Sequence, residues 1–442
     1  MISGFPELLP SQRFAELAVL DTLRRTFELH GFAPVETPAA ESLDTLLRKG
    51  EIDKEVYVLR RLQADDDASD SGLGLHYDLT VPFARYVLEH AGHLEFPFRR
   101  YQIQKVWRGE RPQQGRYREF TQADIDVVAR DTLPFHHDVE IARVMAEALA
   151  ALEFLPALTL QVNNRKLIQG FYEGLGAPDV PAVMRAIDRL DKVPPAVVRD
   201  ELLGAGLDDG QADRCLALAG ISATDTSFVG QVRALGVEHE LLEQGLDELA
   251  AVITGCAAIE GVRVTADLRI ARGLDYYTGT VFETRMAGWE SLGSICSGGR
   301  YEALASDGKN TYPGVGISLG VTRLLMPLFQ SGAVDGSRAV PSAVLVALWD
   351  EESRAGSDDI AQALRRRGIA TEVAASPQKL GQQIRYGERR GIPYVWFPAR
   401  ADTAHRVKDI RSGDELDGAD PSSWTPADTD LRPQVVATKE EL

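Results

Sequence analysis

The stretch 99–128, RRYQIQKVWRGERPQQGRYREFTQADIDVV, narrows the possible folds more than any other part of the chain. It reads as strand, loop, strand. Tyr101, Ile103 and Trp107 alternate with Gln102, Gln104 and Arg108 before the loop. Phe120, Gln122, Asp124 and Asp126 share one face after it, because strand side chains alternate with period two. The loop 109–117 carries a proline, two glycines and arginines. A long antiparallel hairpin with a charged face and a basic tip is poor material for a plain core. It suits a site that grips a polyanion at one end and a small zwitterion at the other. The competing reading is a solvated hairpin with ordinary surface charge.

The rest of the chain bounds the setting. At 442 residues, two or three domains are expected. A formal charge of −18, from 48 basic and 66 acidic residues, argues against indiscriminate nucleic-acid binding but leaves room for a local basic groove. Cys215, Cys256 and Cys296 are too few and too scattered for a disulfide framework or a four-ligand metal site. A reduced, cytoplasmic setting is therefore expected. The opening MISGFPELLP lacks the pattern of a signal peptide, and no apolar run reaches membrane-spanning length, so no membrane partner is expected.

Taken in order, 10–30 predicts an amphipathic helix through Phe14, Leu17, Leu20, Leu23 and Phe27, ended by Gly31. Helix is expected over 41–49, strands over 55–60 and 76–81, and a helix over 82–90, with the acidic loop ADDDASDSG between the strands. After the hairpin come a helix (137–152) and a strand (158–163) whose Asn163-Asn164 caps the next helix. Residues 166–257 then read as almost all helix, an inserted helical block. Strands return over 262–268, 276–284 and 295–299, and 314–328 is a glycine-containing strand running into a helix. The segment 330–342 reads as a linker. Alternating strands and helices beyond it predict a small α/β domain, with a loose acidic tail from Asp414 before a last strand at 434–436.

Four separated segments are unusually polar for their apolar surroundings: YDLT (77–80), the hairpin, ARGLDYYTGTVFE (271–283), and SGGRY (297–301) with GVGISLGVTR (314–323). None is a lysine-containing phosphate loop or a dinucleotide fingerprint. The glycine-rich strand alone signals only close backbone packing. Together the four resemble the histidyl-tRNA synthetase family of class II aminoacyl-tRNA synthetases. RGERPQQGRYREFTQ is similar to that family's second class-defining motif, ARGLDYYTGTVFE to its histidine signature, and GVGISLGVTR to the third motif. The first motif is looser, around Pro38. The likeness runs over nearly the whole chain.

The resemblance implies an α+β fold: an antiparallel sheet flanked by helices, with a helical insertion and a C-terminal α/β anticodon-binding domain. The implied division is a catalytic domain over 1–165 and 258–330, the insertion over 166–257, and the anticodon-binding domain over 341–442. It implies a cytoplasmic homodimer that joins L-histidine to ATP as histidyl-adenylate and passes the histidyl group to tRNA(His). Mg2+ is expected with ATP, and no metal held by the protein. By motif position, Arg108 would hold the α-phosphate, Glu110 the adenine end, Arg116 the outer phosphates and Arg323 the γ-phosphate. Arg272 matches the family's own catalytic arginine, which also lies beside the histidine carboxylate. Asp78, Thr80 and Gln122 match ammonium-side positions; Asp126 and Tyr277 match imidazole-side positions, with Tyr276 beside them. Asp124 is left as a partner for some nearby arginine.

The chain also departs from the family. Asp78 and Asp126 stand where many bacterial members carry glutamate, His76 where arginine is usual, and Thr322 where glutamate is usual. Within 361–411, eleven basic residues face four acidic ones, a local excess of about +7 that would form the anticodon face. A rival implication is the regulatory relative that activates ATP phosphoribosyltransferase, which typically lacks the C-terminal domain.

Overall fold

The computed structural model describes residues 2–47, 55–62, 72–271, 276–302 and 305–437. Arg272 lies outside them, as does all but the last glycine of the expected acidic loop. The chain divides into two units, Met1–Pro6 with Asp21–Pro327 and Glu7–Leu20 with Leu328–Leu442.

Helix α1 (Pro10–Leu29) buries Ala15, Val19, Leu23 and Phe27, a four-residue spacing that keeps one stripe inward. Leu17, expected on that face, is 40% exposed. It sits two residues from both Ala15 and Val19, about 200° round the helix from each. β1 (Ala33–Pro34) follows, then β2 (Ala40–Ser42), where helix was expected. Ser42 caps the short α2 (Leu43–Leu46) through Thr45 N–H.

β3 (Val58–Leu59) and β4 (Leu73–Leu75) complete a small sheet with β2; β3 is shorter than the strand expected over 55–60, and β4 precedes the one expected over 76–81. The strand expected over 76–81 does not form: the Asp78 carboxylate accepts the Val81 N–H at 3.0 Å. That bond turns the chain into α3 (Thr80–His90), where Pro82 falls in the first turn and loses no helical hydrogen bond.

The main sheet has nine strands. The hairpin is β5 (Phe98–Trp107) and β6 (Glu119–Val128), paired antiparallel throughout their length. Alongside β6 come β12 (Gly314–Gly320), β11 (Cys296–Tyr301), β10 (Thr280–Met286), β7 (Leu158–Asn164), β9 (Val262–Asp267) and β8 (Ser222–Ala223), with β1 at the other edge. Only β1–β5 and β7–β9 are parallel. On β6, Ala123, Ile125 and Val127 are fully buried on the face where α4 (His136–Ala150) packs across β6 and β12. Gln122, Asp124 and Asp126 take the other face.

Between β7 and β9 the chain is mainly helical: α5 (Arg165–Gly174), α6 (Val180–Ile187), α7 (Pro195–Gly204), α8 (Asp209–Ala219), α9 (Ser227–Arg233) and α10 (Glu240–Cys256). The Asn164 side chain caps α5 through the Lys166 N–H at 2.9 Å. This stretch is not all helix, because β8 leaves it to extend the sheet against β9. α11 (Val321–Ser331) follows β12 directly.

In the second unit, β14 (Val344–Val346) lies parallel to both β15 (Thr371–Val373) and β16 (Tyr394–Phe397). β17 (Arg406–Asp409) and β18 (Glu415–Asp417) add antiparallel. α12 (Arg354–Arg366) and α13 (Leu380–Arg390) accompany them, and Trp396 is wholly buried. Two expectations fail here. The segment read as a linker contains β13 (Val334–Gly336), paired with β19 (Val435–Ala437). The acidic tail is fastened rather than loose: Arg411 reaches Asp430 at 2.7 Å, Tyr394 donates to Asp430 at 2.8 Å, and Arg367 donates to the Pro421, Ser423 and Trp424 carbonyls. Backbone carbonyls accept arginine regardless of sequence polarity, so composition alone hides such anchoring.

Candidate active site

Strand register carries a polar row across the sheet. Gln102, Asp124, Ser318, Ser297, Glu283, Gln161 and Thr265 are successive partners on β5, β6, β12, β11, β10, β7 and β9. One row nearer the Arg100 end of β5, Asp126 pairs with Gly316, which pairs with Gly299. Both glycines are required there. A Cβ on Gly316 would stand 2.0 Å from the Asp126 carboxylate, and one on Gly299 would stand 2.7 Å from the Tyr277 ring. The glycine strand that looked like plain close packing therefore makes room for site side chains.

A cavity of about 230 Å³ opens over the hairpin end of this face. It gathers Arg108, Glu110, Arg116 and Gln122 from the hairpin with Arg323 from α11, and Ser297, Ser318, Tyr117 and Phe120 complete much of its wall. Arg108 is half-buried; its Nε donates to the Tyr77 carbonyl at 3.0 Å, and its guanidinium lies 5.1 Å from the Phe120 ring centre. Arg116 and Glu110 face each other across the loop at 3.5 Å. Arg323 donates to the Leu292 carbonyl. Three arginines on one small cavity make it a receptor for several negative charges.

A second cluster adjoins it. Tyr276 and Tyr277 meet edge-on at 5.2 Å, and Tyr276 lies 5.4 Å from Tyr301. The Tyr301 hydroxyl donates to Asp126 at 2.9 Å, and the other Asp126 oxygen is 2.7 Å from the Arg100 guanidinium. Burial, then neighbouring Tyr277 and Asp126, pushes the Tyr276 phenol up; burial, then Asp126, does the same to Tyr277. Both stay neutral donors at physiological pH. Asp78 acts on both rings electrostatically, and Thr80 is half-buried at the first position of α3. Of the sequence-predicted residues, Arg108, Glu110, Arg116, Gln122 and Arg323 line one cavity, and Asp78, Asp126, Tyr276 and Tyr277 act on one another. Arg272 lies outside the described residues.

The sequence reading does not assign Arg100, Tyr301 or Ser318. Arg100 has no exposed surface and its guanidinium sits 4.2 Å over the Phe83 ring. Its parity with Gln102, Gln104 and Arg108 is the signal that places it on the site face. Asp124 does not take the arginine's ion pair, which goes to Asp126; it accepts from the Ser318 hydroxyl instead.

Two of the four family departures, His76 and Thr322, acquire structural roles. His76 is buried, with Nε2 2.7 Å from the Lys105 carbonyl and its ring 5.5 Å from Trp107. Burial pushes its pKa down, so it is a neutral tie from the segment after β4 to β5 and does not replace an arginine's charge. Thr322 accepts the Thr121 backbone N–H at 2.8 Å and so ties α11 to β6. Thr322→Ala leaves that buried N–H unpaired, a cost of about 1–3 kcal/mol. The expected result is a melting midpoint lowered by about 2–4 °C; an unchanged midpoint would mean the tie is not needed.

An antiparallel sheet whose long hairpin and glycine strand line one arginine-rich cavity is the architecture of a class II aminoacyl-tRNA synthetase. Residues 4–324 match the model of the family described as histidyl-tRNA synthetase, and 343–398 match that of an anticodon binding domain. A histidine–tRNA ligase from Cutibacterium acnes is 58% identical, over 99% of this chain and 98% of that one. One from Micrococcus luteus is 57% identical, over 99% of each. The crystal structure of histidyl-tRNA synthetase from Nostoc sp. PCC 7120 superposes with a TM-score of 0.84 at 34% identity, covering 94% of this chain and 96% of that one. The chain belongs to the histidyl-tRNA synthetase family. A Bacillus halodurans structure titled ATP phosphoribosyltransferase regulatory subunit/histidyl-tRNA synthetase shares the fold, with a TM-score of 0.71 at 20% identity over 87% of this chain and 96% of that one.

Proposed function

We infer that the chain is a histidine–tRNA ligase, which activates L-histidine with ATP to histidyl-adenylate and transfers the histidyl group to the 3′ end of tRNA(His). One observation carries the reading: Arg108, Glu110, Arg116, Gln122 and Arg323, from two distant segments, line one cavity beside the acid–tyrosine cluster.

The first step brings the histidine carboxylate against the α-phosphate, so two anions must approach. Catalysis there is positioning and charge neutralisation. Arg108 takes the α-phosphate; Arg116 and Arg323 take the outer phosphates; Glu110 meets the adenine end. Arg116 and Glu110 exchange their mutual contact for nucleotide. Mg2+ expected with ATP would offset part of the phosphate charge. Asp78, Thr80 and Gln122 receive the ammonium, and Asp126, Tyr277 and Tyr276 the imidazole. A wrong side chain would leave these buried polar groups unpaired, which is the basis of selectivity. Arg272, by motif position, acts on the carboxylate and α-phosphate.

For tRNA, the basic excess of 361–411 is smaller at the surface than its count. Arg365 donates to the Thr371 carbonyl, and Arg390, Arg406, Lys408 and Arg411 have carboxylate partners. Lys379, Arg385 and Arg389 are exposed without an ion pair among the described residues, at the start and along one face of α13. That face binds the anticodon arm, and the helical insertion (166–257) covers the acceptor stem. The functional division is catalytic over 1–165 and 258–330, and anticodon-binding over 341–442. The enzyme works as a cytoplasmic homodimer through the first motif. No helix among the described residues is long and apolar enough to cross a membrane. Against the regulatory alternative stands the anticodon-domain match, because such relatives typically lack that domain.

The test is charging of tRNA(His) with labelled histidine. Removing the chain after Gln330 should lower charging by at least about 100-fold, since the lost phosphate contacts carry most tRNA affinity, and lower adenylate formation far less. Equal loss of both would mean that the C-terminal part serves the catalytic step itself.

A further inference from the structure

A directed hydrogen-bond chain runs from Gln122 into the polar row. Gln122 Nε2 donates to Ser318 Oγ at 2.5 Å, and the Ser318 hydroxyl donates to the Asp124 carboxylate. An ionised carboxylate only accepts. The hydroxyl has one hydrogen, and Asp124 takes it. Ser318 can then offer Gln122 only a lone pair, so the amide must turn its NH2 toward Ser318. Its carbonyl is left on the side away from Ser318: Gln122 Oε1 is buried with no hydrogen-bond partner among the described residues. Gln122 is 8% exposed and lines the cavity together with Ser318.

We propose that Asp124 and Ser318 are positioning residues that hold the Gln122 amide with its carbonyl toward the substrate ammonium, and that a proton on Asp124 releases this constraint. The proposal rests on the assignment of Gln122 to the ammonium side. A protonated Asp124 can donate to Ser318, whose hydrogen is then free to bond Gln122 Oε1. The amide can rotate, and its NH2 then faces a cation it cannot bind.

The surroundings put this proton within reach of physiological pH. Asp124 is buried on β6. Arg100 on β5 faces it, along with Asp126 on its own strand, Asp78 ahead of α3, Tyr277 ahead of β10 and Cys296 on β11, among the described residues. Burial pushes the carboxyl up to about 7; Arg100 and the Ser318 bond pull it down, and Asp126 and Asp78 push it up. Above that value this amide orientation is enforced; as pH falls through it, enforcement is lost and histidine binding weakens.

The experiment measures KM for histidine in pyrophosphate exchange from pH 6 to 8. It also measures inhibition by 3-(imidazol-4-yl)propionate, which is histidine without its amine. Asp124→Asn, which can donate or accept at every pH, and Ser318→Ala, which cuts the chain, should each raise KM about 10- to 100-fold at pH 8, the worth of a hydrogen bond to a charged group. The ratio of the Asp124→Asn KM to the wild-type KM should fall toward one at pH 6, which also cancels the titration of histidine itself. Both variants should bind the deaminated inhibitor within about twofold of wild type, because it makes no ammonium contact. A pH-independent ratio would overturn the proposal, as would equal weakening of the deaminated inhibitor. Gln122→Ala separates the two layers. If its KM for histidine is unchanged, the ammonium assignment is wrong; if it rises while the other two variants stay normal, only the positioning chain is wrong.

Discussion

Replacing Arg108 with alanine should lower histidine-dependent pyrophosphate exchange by roughly 10²–10³-fold, the typical loss when one preorganised donor to developing charge is removed. The melting midpoint should hardly move. Arg108 is half-buried, and its only fixed partners among the described residues are the Tyr77 carbonyl and the Phe120 ring. Neither is left as a buried charge when the guanidinium goes. Arg108→Lys should recover little, because a single ammonium cannot reproduce a planar fork that bonds the Tyr77 carbonyl and still reaches phosphate oxygens. Exchange kinetics beside thermal melting checks this. A variant that melts normally and exchanges normally would remove Arg108 from the phosphate site.

Arg100→Met should do the opposite and act first on stability. Arg100 is fully buried, paired with Asp126 at 2.7 Å and close enough to Asp124 to lower its pKa. Methionine keeps much of the volume over Phe83 but strands two carboxylates in the core. Breaking a buried pair from one side costs about 3–5 kcal/mol. The expected result is a clearly lowered melting midpoint at pH 8, partly restored as pH falls and the stranded acids bind protons. The sign follows from burial: without the cation, the folded-state pKa of Asp124, already raised by burial, rises further above its unfolded value. Stability is then kept at low pH and lost as pH rises through the folded-state value. Under the proposed placement of histidine, its KM should also rise, because Asp126 loses its ion-pair partner. A midpoint unchanged across pH would mean that Arg100 carries no such burden.

The contrast between these arginines explains what sequence can and cannot reveal. Arg108 sits in a motif whose spacing announces it. Arg100 lies before that motif, and only its parity on β5 hints at the site face; nothing local says it is buried. The alternation on β6 was legible, because Ala123, Ile125 and Val127 fall on one face and Gln122, Asp124 and Asp126 on the other. Asp124 was visible on that face, but its partner was not. Ser318 comes from nearly two hundred residues further on, and only the register of β6 against β12 brings the two together. Short strands were harder to read. The segments 55–60 and 76–81 look extended, yet one carboxylate bond from Asp78 converts the second into a helix start. The tail past Asp414 looked loose because its anchors are backbone carbonyls and a buried Asp430, which composition does not distinguish from solvated polar residues.

Activation of histidine with ATP in one cavity should register as pyrophosphate exchange. The purified full chain is incubated with ATP, Mg2+ and labelled pyrophosphate, and with each of the standard amino acids in turn, without tRNA. Label should enter ATP with histidine and stay near background with the others. Exchange that is absent with histidine, or equally strong with another amino acid, would contradict the account.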